Sequence, residues 1–178
     1  RDSDGALEAI LDFHLVTKWK TAGDSLLAAT RLARKDSRKV LIVGAGTVGR
    51  SLLAAYRAAF PGAAFAVWNR SPEGAARFAA ENPGVAVAGD LEAAVRAADI
   101  VTCATMSTSP LIRGDWLQPG QHIDLIGAYT PAMREADDTA IARARVFCDN
   151  RDTVIHHIGE LRDPIRAGVI GSLSSPIW

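Results

Sequence analysis

Three features that would indicate other classes of protein are scarce in this sequence: charge of one sign, cysteine and long apolar runs. Its 20 basic and 20 acidic residues give a formal net charge of +0, whereas a protein that covers nucleic-acid phosphates needs a basic surplus. No run of about 18 apolar residues is available to span a bilayer. The two cysteines fit a reducing compartment. We therefore expect a cytoplasmic protein without nucleic-acid or membrane partners.

The histidines and cysteines also lack the spacing of a metal site. His156 and His157 are adjacent, so on a helix they diverge, and no Cys or carboxylate stands near them at ligand spacing. His14 and His122 are isolated, and Cys103 is expected to be a small core residue. The sequence predicts no bound metal.

The ends of the sequence are typical of a piece of a longer chain. It begins at Arg1 rather than Met, and it stops on Trp178 without a polar tail. Residues 1–15 lack the basic start and the apolar stretch of a secretory signal. Even so, 178 residues of which 48% are hydrophobic are enough to bury the core of one domain.

Short apolar segments alternate with segments of helical periodicity, and this alternation predicts an α/β fold. Strands are expected at 39–43, 64–68, 85–87, 100–104, 122–126 and 145–149. Helices are expected at 17–34, 50–60, 71–81, 90–97, 131–144 and 151–159, with Thr17, Ser71 and Asp90 as N-caps. Residues 1–16 are expected to form a strand or hairpin. Strands separated by such helices form a doubly wound parallel sheet.

A glycine-rich segment lies between the first predicted strand and the helix that follows it. Gly44 allows a sharp turn out of the strand, Gly46 lets a diphosphate approach the backbone, and Gly49 lets the helix pack close to the sheet. The helix N-terminus then offers free N–H groups and a partial positive charge. A tight turn that binds nothing is the alternative. The predicted cofactor-binding residues of this loop are Gly44, Ala45, Gly46, Thr47, Val48 and Gly49.

The end of the second predicted strand indicates which dinucleotide fits. An NAD site usually has Asp or Glu there, whereas this sequence has Asn69-Arg70-Ser71, without a carboxylate that would repel a 2′-phosphate. Arg70 can pair with that phosphate in a bidentate manner, and Asn69 and Ser71 can donate hydrogen bonds to it. A solvated surface arginine is the alternative for Arg70. NADP(H) is therefore favoured as cofactor over NAD(H).

Further contacts with the cofactor are expected where the other strands end, because ligands of open α/β sheets lie outside the carboxyl ends of the strands. Ala104, Thr105 and Met106 are expected beside the adenosine or nicotinamide part. Gly127 and Tyr129 are expected on the nicotinamide side.

Charged residues elsewhere allow both a functional and a structural interpretation. Lys18 and Lys20 precede the glycine loop and either hold a substrate carboxylate or a cofactor phosphate, or are solvated. Glu135 and the other acids of 134–138 follow Pro131 at the start of a predicted helix, where they are expected to favour the helix dipole.

Several blocks of the sequence occur in an order that resembles one family. They are TKWKTAGDSLLAA at 17–29, GAGTVG at 44–49, WNRS at 68–71, the long block at 99–138 and ARARVFCDNRD at 142–152. Together they resemble the ornithine cyclodeaminase and mu-crystallin family over nearly the whole chain. The resemblance implies a homodimer with a Rossmann-type NAD(P)-binding domain at 17–160, a remnant of a substrate and dimerisation domain at 1–16, and a return segment at 161–178.

The same resemblance implies roles for individual residues. Lys20-Thr21 stands where the family usually has Arg-Thr, so Lys20 would bind the substrate carboxylate and Thr21 would belong to the cofactor site. Lysine keeps the charge of arginine but not its two-pronged geometry. Tyr129 stands where cyclodeaminases carry an Asp, so it is the candidate catalytic residue there, and the acid/base partner of deamination is missing.

These residues lead to three hypotheses of function. The first, which is favoured, is NADPH-dependent reduction of a cyclic imino acid such as a pyrroline- or piperideine-2-carboxylate, with hydride passing from the nicotinamide to the imine carbon. The second is ornithine cyclodeamination with tightly held NAD, against which Asn69-Arg70-Ser71 and Tyr129 count. The third is nucleotide binding without catalysis.

Overall fold

Five parallel strands form the central sheet of the computed structural model, which describes residues 4–171. In the order in which they lie side by side, the strands are β3 (Val85–Val87), β2 (Ala64–Trp68), β1 (Lys39–Val43), β4 (Ile100–Cys103) and β5 (His122–Leu125). The α-helices of the described residues are α1 (Phe13–Leu32), α2 (Thr47–Ala59), α3 (Pro72–Glu81), α4 (Leu91–Ala97), α5 (Asp138–Arg143), α6 (Arg151–His157) and α7 (Gly159–Arg166). A short 3₁₀ helix at Gly114–Trp116 lies between β4 and β5.

β1 lies at the centre of the sheet, and the carboxyl ends of β2 and β4 are level with its own. Val43, the last residue of β1, is paired with Trp68 of β2 and with Cys103 of β4. Cys103 is in turn paired with Leu125 of β5. The strand order reverses between β1 and β4, where a sheet of this type binds its ligands. We call this side of the sheet the carboxyl edge, and its loops are 44–46, 69–71, 104–107 and 126–130.

Successive residues of β1 are buried on opposite faces, as a strand in the middle of a doubly covered sheet requires. Val40 and Ile42 belong to the core under α1, α2 and α3, where Phe78 is fully buried. Leu41 and Val43 belong to the core under α4, α5 and α7. Both faces of the sheet are therefore packed, which fixes the positions of the loops at the carboxyl edge.

The predicted α/β pattern is confirmed from β1 to β5. The predicted and observed strand bounds agree at 39–43, 64–68 and 85–87, and β4 and β5 each end one residue earlier than predicted. Ser71 caps α3, since its hydroxyl accepts a hydrogen bond from the N–H of Gly74 at 3.1 Å. Asp90 caps α4 by accepting from the N–H groups of Glu92 and Ala93.

The helix predicted at 17–34 is present, but its predicted start and the strand predicted before it are wrong. α1 begins at Phe13, because the Asp12 side chain caps it by accepting from the N–H of Leu15 at 2.9 Å. The predicted cap, Thr17, lies inside the helix. Residues 4–12, the described part of the predicted strand before the helix, contain no strand. Their apolar side chains face solvent and have no sheet to cover.

The predictions for the chain after β5 are only partly right. Of the helix expected at 131–144, the structure has α5 alone, and the strand expected at 145–149 is irregular backbone. A helix cannot continue through 131–137, because the N–H groups of Glu135 and Ala136 donate to the side chain of Glu160.

α7 was not predicted as a separate helix. It occupies the start of the predicted return segment at 161–178, and 172–178 lie outside the described residues. Gly159 at its first position and Pro164 in its interior both disfavour a helix. Leu161 is buried in the core of that face, and this packing supports the helix.

None of the helices in residues 4–171 combines the length and the apolar character that a membrane span requires. No group of three or more His, Cys, Asp and Glu side chains is arranged to hold a metal ion in those residues.

A buried polar cluster joins α1 and α2 to the sheet. Asp124 of β5 accepts hydrogen bonds from the hydroxyls of Ser25 and Thr102, and the Ser25 hydroxyl is 3.0 Å from that of Tyr56. All four side chains are buried. Burial raises the pKa of Asp124 to about 6, although its two hydrogen bonds act in the opposite direction. The folded protein therefore binds a proton on Asp124 more tightly than an unfolded chain does.

We expect Asp124→Asn to weaken the dependence of stability on pH. The stabilising contribution of this raised pKa is complete below the ordinary value of 3.8, and it is lost as the pH rises through about 6. The difference between the two values corresponds to about 3 kcal/mol of the free energy of unfolding. Urea unfolding at several values from about pH 4 to about pH 7 measures how the free energy of unfolding changes with pH in wild type and in Asp124→Asn. Glu135 and Glu160 titrate in both proteins, so an equal change with pH in the two would show that the pKa of Asp124 is not raised by burial.

Candidate functional site

The glycine loop after β1 is closely packed at two of its glycines and open at the third. Gly44 has a φ of +112°, and a Cβ there would lie 2.7 Å from the carbonyl oxygen of Ala104. A Cβ at Gly49 would overlap the carbonyl oxygen of Gly44. At Gly46, by contrast, no atom of the described residues lies within 4 Å of the Cβ position. The loop is therefore tight against the sheet and bare where a diphosphate would approach.

α2 begins directly at this loop. Gly46 is its N-cap and has no side chain that could accept hydrogen bonds from the first turn. The first turn of α2 also contains no acidic residue. The positive end of the helix dipole therefore lies next to the bare backbone at Gly46, and this geometry fits an anion.

Asn69 connects the glycine loop to the end of β2. Its Oδ1 accepts a hydrogen bond from the N–H of Ala45 at 3.1 Å, and its Nδ2 donates to the carbonyl oxygen of Ser71 at 3.1 Å. The side chain thus holds two loops of the carboxyl edge together. Asn69 therefore fixes these loops, and its contact with a phosphate stays a prediction.

Arg70 is exposed at the end of β2, and its guanidinium reaches the loop after β4. Its Nη2 donates to the hydroxyl of Ser107 at 3.0 Å. Ser107 is 3% exposed and donates in turn to the carbonyl oxygen of Ser109 at 2.6 Å. The contact with Ser107 is to a neutral group, so it holds the guanidinium at the carboxyl edge without neutralising its charge.

A carboxylate lies near the end of β2, and the prediction that none is present there is wrong. Glu73, in the first turn of α3, accepts a hydrogen bond from the Ser71 hydroxyl at 2.7 Å, and this hydrogen bond lowers the pKa of Glu73. The sequence shows Glu73 only as a partner of the helix dipole, because its contact with Ser71 depends on the fold of the cap. Ser71 has one hydroxyl proton, which it cannot donate to Glu73 and to a phosphate at the same time.

The loops after β4 and β5 are joined by one buried carboxylate, that of Glu135. Its Oε1 accepts from the N–H of Thr105 at 2.7 Å and from the Thr105 hydroxyl at 2.6 Å. Its Oε2 accepts from the N–H of Gly127 at 2.7 Å. Glu135 is 0% exposed, and burial raises its pKa to about 7 against the effect of these hydrogen bonds.

Glu160 of α7 is a second buried acid, and it contacts the backbone of the first. Its two oxygens accept from the N–H groups of Glu135 at 2.6 Å and Ala136 at 2.9 Å. Burial raises the pKa of Glu160, and its charge adds to the increase in the pKa of Glu135. The interpretation of Glu135 as a helix-dipole partner is wrong, because the acid that caps α5 is Asp137, which accepts from Ala140.

The side chains of Met106 and Tyr129 follow β4 and β5 and project from the carboxyl edge. Met106 is 74% exposed and Tyr129 is 65% exposed. Ala104 lies against the glycine loop, with its carbonyl oxygen close to Gly44. Both exposed side chains are accessible to a ligand at this edge.

The first turns of α1 lie toward the carboxyl edge. Arg34, just beyond the C-terminal end of α1, donates to Asp99, which precedes β4 and so lies at the opposite edge of the sheet. Ser25, in the middle of α1, contacts Asp124 of β5. α1 therefore runs opposite to the strands, and Lys20-Thr21 lies in its half toward the carboxyl edge, with Lys20 exposed.

Comparison with known proteins covers almost the whole chain. The model of the ornithine cyclodeaminase/mu-crystallin family matches residues 2–173. The chain belongs to this family. The resemblance inferred from the block at 99–138 and from the shorter blocks is therefore confirmed.

Two curated members of the family illustrate how much of a relative the chain covers. Delta(1)-pyrroline-2-carboxylate reductase of Paracoccus denitrificans is 52% identical over 172 residues, which are 94% of this chain and 54% of that protein. Ketimine reductase mu-crystallin of Mus musculus is 33% identical over 160 residues, which are 89% of this chain and 51% of that protein. The chain spans about half the length of the curated relatives it matches.

Solved structures confirm the Rossmann-type α/β fold of this family member. Thermococcus litoralis Delta(1)-pyrroline-2-carboxylate reductase, solved in complex with NADH and L-proline, has a TM-score of 0.89 and 27% identity over 96% of this chain and 54% of that one. The iminosuccinate reductase of Paracoccus denitrificans, solved with NAD+, has a TM-score of 0.81 and 29% identity over 89% of this chain and 50% of that one.

The predicted and the missed residues of this ornithine cyclodeaminase/mu-crystallin family member lie in one region. The fold brings to the carboxyl edge the predicted glycine loop, 69–71, 104–106, Gly127 and Tyr129. The residues that sequence reasoning missed there are Glu73, Ser107, Glu135 and Glu160. All four act through contacts with loops that are distant in sequence or with a helix cap, and no local pattern marks them.

Proposed function

We propose that the protein is an NADPH-dependent reductase of a cyclic imino acid of the pyrroline- or piperideine-2-carboxylate class. The observation that carries this proposal is the 52% identity with the Paracoccus denitrificans Delta(1)-pyrroline-2-carboxylate reductase over 94% of the chain. The Thermococcus litoralis reductase was solved with NADH and L-proline. L-proline is the compound that reduction of a pyrroline-2-carboxylate yields.

The geometry of the carboxyl edge supports a dinucleotide cofactor. The bare backbone at Gly46 and the first turn of α2 would hold the diphosphate, and Arg70 would hold the 2′-phosphate. When bound, the cofactor supplies the hydride that reduces the imine carbon. The cofactor site that we propose consists of Thr21, Gly44, Ala45, Gly46, Thr47, Val48, Gly49, Asn69, Arg70, Ser71, Ala104, Thr105, Met106 and Gly127.

Two exposed side chains are proposed to contact the substrate. Lys20 lies in the half of α1 toward the carboxyl edge, where its ammonium group would pair with the substrate carboxylate. Tyr129 follows β5 and is 65% exposed, so its hydroxyl would be accessible to a substrate at the carboxyl edge. Orienting the imine carbon against the nicotinamide is the main task of the protein in such a hydride transfer.

The reductase proposal is tested by measuring NADPH oxidation with a panel of cyclic imino acids. The assay uses a protein that contains this chain and has the full length of its relatives. Turnover with at least one of them is expected. Firm NADPH binding without turnover would instead favour a nucleotide-binding protein without catalysis. Tighter binding of NAD than of NADP, together with release of ammonia from ornithine, would favour a cyclodeaminase.

The domain division and the homodimer implied by the family are also proposals. Apolar side chains before and in the first turns of α1 support a covering partner, since Leu7, Ile10, Leu11, Phe13 and Trp19 are between 53% and 85% exposed. We propose that 1–16 belongs with a substrate and dimerisation domain, 17–160 is the dinucleotide-binding domain and 161–178 returns to the former. The free thiols of Cys103 and Cys148 support a cytoplasmic location. Light scattering that shows a monomer would refute the homodimer.

Glu73→Gln is expected to improve NADPH binding by about threefold and to change NADH binding less. The change removes a negative charge that would repel a 2′-phosphate. It also weakens the competition for the Ser71 hydroxyl, because an amide oxygen accepts a hydrogen bond less strongly than a carboxylate does. Titration of both nucleotides at low ionic strength measures the effect.

Glu92→Gln is the matched control for this charge effect. Glu92 lies in the first turn of α4, as Glu73 lies in the first turn of α3, and it pairs with Arg96 rather than with Ser71. Glu92→Gln should leave the ratio of the NADPH and NADH affinities unchanged. If this ratio is the same in wild type and in Glu73→Gln, Glu73 does not act on the 2′-phosphate.

A further inference from the structure

We propose that Glu135 is a positioning residue, which fixes the loops after β4 and β5 and so shapes the nicotinamide half of the site more than the adenosine half. This inference rests on the proposed function, since it requires a dinucleotide cofactor. Glu135 itself is 0% exposed and would not touch the ligand.

The carboxylate of Glu135 accepts hydrogen bonds from both loops. Oε1 takes two donors from Thr105, at 2.7 Å and 2.6 Å, and Oε2 takes the N–H of Gly127 at 2.7 Å. A carboxylate accepts hydrogen bonds on both oxygens and donates none, so it suits three converging donors. The spacing between Thr105 and Gly127 is therefore set by the width of one carboxylate.

Gly127 leaves no room for another arrangement of these loops. A Cβ at Gly127 would overlap the backbone of Thr105 and Oε1 of Glu135. The close approach of the two loops thus depends on glycine at one position and on the carboxylate at the other. Close packing of this kind transmits a small shift of Glu135 directly to both loops.

α7 holds Glu135 in place from behind. The Glu160 carboxylate accepts from the N–H groups of Glu135 and Ala136 at 2.6 Å and 2.9 Å. Gly159 lies against the carbonyl oxygens of Pro131 and Met133, where a Cβ would be 2.5 Å and 2.7 Å away. The backbone of the segment that carries Glu135 is therefore anchored by α7, while the side chain of Glu135 contacts the two loops.

The order of the strands places these loops on the nicotinamide side. β4 and β5 lie on one side of β1, whereas β2, whose end carries Arg70, lies on the other. With the diphosphate at the glycine loop after β1, an adenosine at the end of β2 leaves the nicotinamide beside the loops after β4 and β5. Thr105 and Gly127 are the backbone positions that Glu135 fixes there.

Glu135→Gln tests the proposal with two probes, NADH and ADP-ribose. The amide keeps the size of the carboxylate but brings an N–H group against one of the N–H donors, which pushes the loops apart. ADP-ribose, which lacks the nicotinamide, should bind within about twofold of wild type, whereas NADH should bind about tenfold more weakly, or about 1.4 kcal/mol. Calorimetric titration of the purified chain measures both.

Two further variants make the result decisive. Asp137→Asn alters an acid of the same segment that caps α5 and accepts from Gly114, so it should lower stability and leave the ratio of the two affinities unchanged. Glu135→Asp keeps a carboxylate on a side chain one methylene shorter, and its ratio should lie between those of wild type and Glu135→Gln. If Glu135→Gln fails to fold, Glu135→Asp tests the inference by itself, since it should weaken the binding of NADH more than that of ADP-ribose.

The outcomes separate a positioning role from a merely structural one. Equal weakening of NADH and ADP-ribose in the Glu135 variants, or no weakening of either, would overturn the inference while leaving the proposed function intact. A wild-type chain that binds ADP-ribose and NADH equally would also overturn it, because the nicotinamide half would then contribute nothing. If the wild-type chain binds neither, the same titrations are made with NADPH and 2′-phospho-ADP-ribose, and binding of none of the four would overturn the proposed function together with this inference.

Discussion

Gly46→Ala should strongly weaken dinucleotide binding and leave the fold intact, whereas Gly49→Ala should damage the fold itself. The methyl group at position 46 meets no atom of the described residues within 4 Å, so stability should change by less than about 0.5 kcal/mol. The same methyl group occupies the place where a diphosphate would approach. Loss of two hydrogen bonds to the charged phosphates, at about 1.5 kcal/mol each, lowers affinity on the order of 100-fold.

The methyl group at position 49 has the opposite consequence. It would overlap the carbonyl oxygen of Gly44, so α2 must move away from β1, at a cost of about 1–3 kcal/mol. Thermal unfolding and NADPH titration of both variants separate the two effects. Gly62→Ala, at another glycine with no neighbouring atom, is the control and should change neither quantity. Unimpaired NADPH binding by Gly46→Ala would exclude the glycine loop as the diphosphate site.

The region from β1 to β4 could be predicted because its signals are local. Each of these signals determines the structure of only a few neighbouring residues. They are the apolar run at 39–43, the glycines after it and the caps Ser71 and Asp90. Such signals need no knowledge of the tertiary structure. For the same reason the candidate cofactor loop could be placed at the carboxyl edge from the sequence.

The chain after β5 could not be predicted because its structure depends on distant partners. The backbone of Glu135 is held by Glu160, 25 positions away, and its side chain is held by Thr105, 30 positions away. Helical periodicity at 131–144 therefore competes with contacts that no local window contains. The error at α1 has a different cause, since Asp12 and Thr17 are both good N-caps and the helix begins at the earlier one, although its first turn is exposed.

The nature of the 2′ site could be predicted only in part. Arg70 follows from its place at the end of β2, but its contact with Ser107 and the contact between Ser71 and Glu73 do not. Both are made by flexible polar side chains whose partners are set by the fold of neighbouring loops. The charge at this site is therefore mixed, with one guanidinium and one carboxylate, rather than purely positive.

Reversal of the charge at Arg70 should discriminate between the two nucleotides more strongly than any other substitution at the carboxyl edge. Arg70→Glu removes a bidentate partner of the 2′-phosphate and adds a carboxylate that joins Glu73 in repelling it. Two charge-assisted hydrogen bonds at about 1.5 kcal/mol each correspond to a loss of NADPH affinity on the order of 100-fold. NADH, which has a hydroxyl in place of that phosphate, should bind within about threefold of wild type or more tightly, since a carboxylate suits the ribose hydroxyls.

The effect of Arg70→Glu must be separated from a change in net charge. Arg31→Glu is the matched control, because Arg31 is exposed in the last turn of α1, the half of that helix away from the carboxyl edge, and alters the net charge equally. Its effect on NADPH should be small and should vanish as salt screens it, whereas a direct contact at Arg70 persists. Equal losses of NADPH and NADH affinity in Arg70→Glu would mean that the guanidinium supports the loop through Ser107 and does not bind the 2′-phosphate.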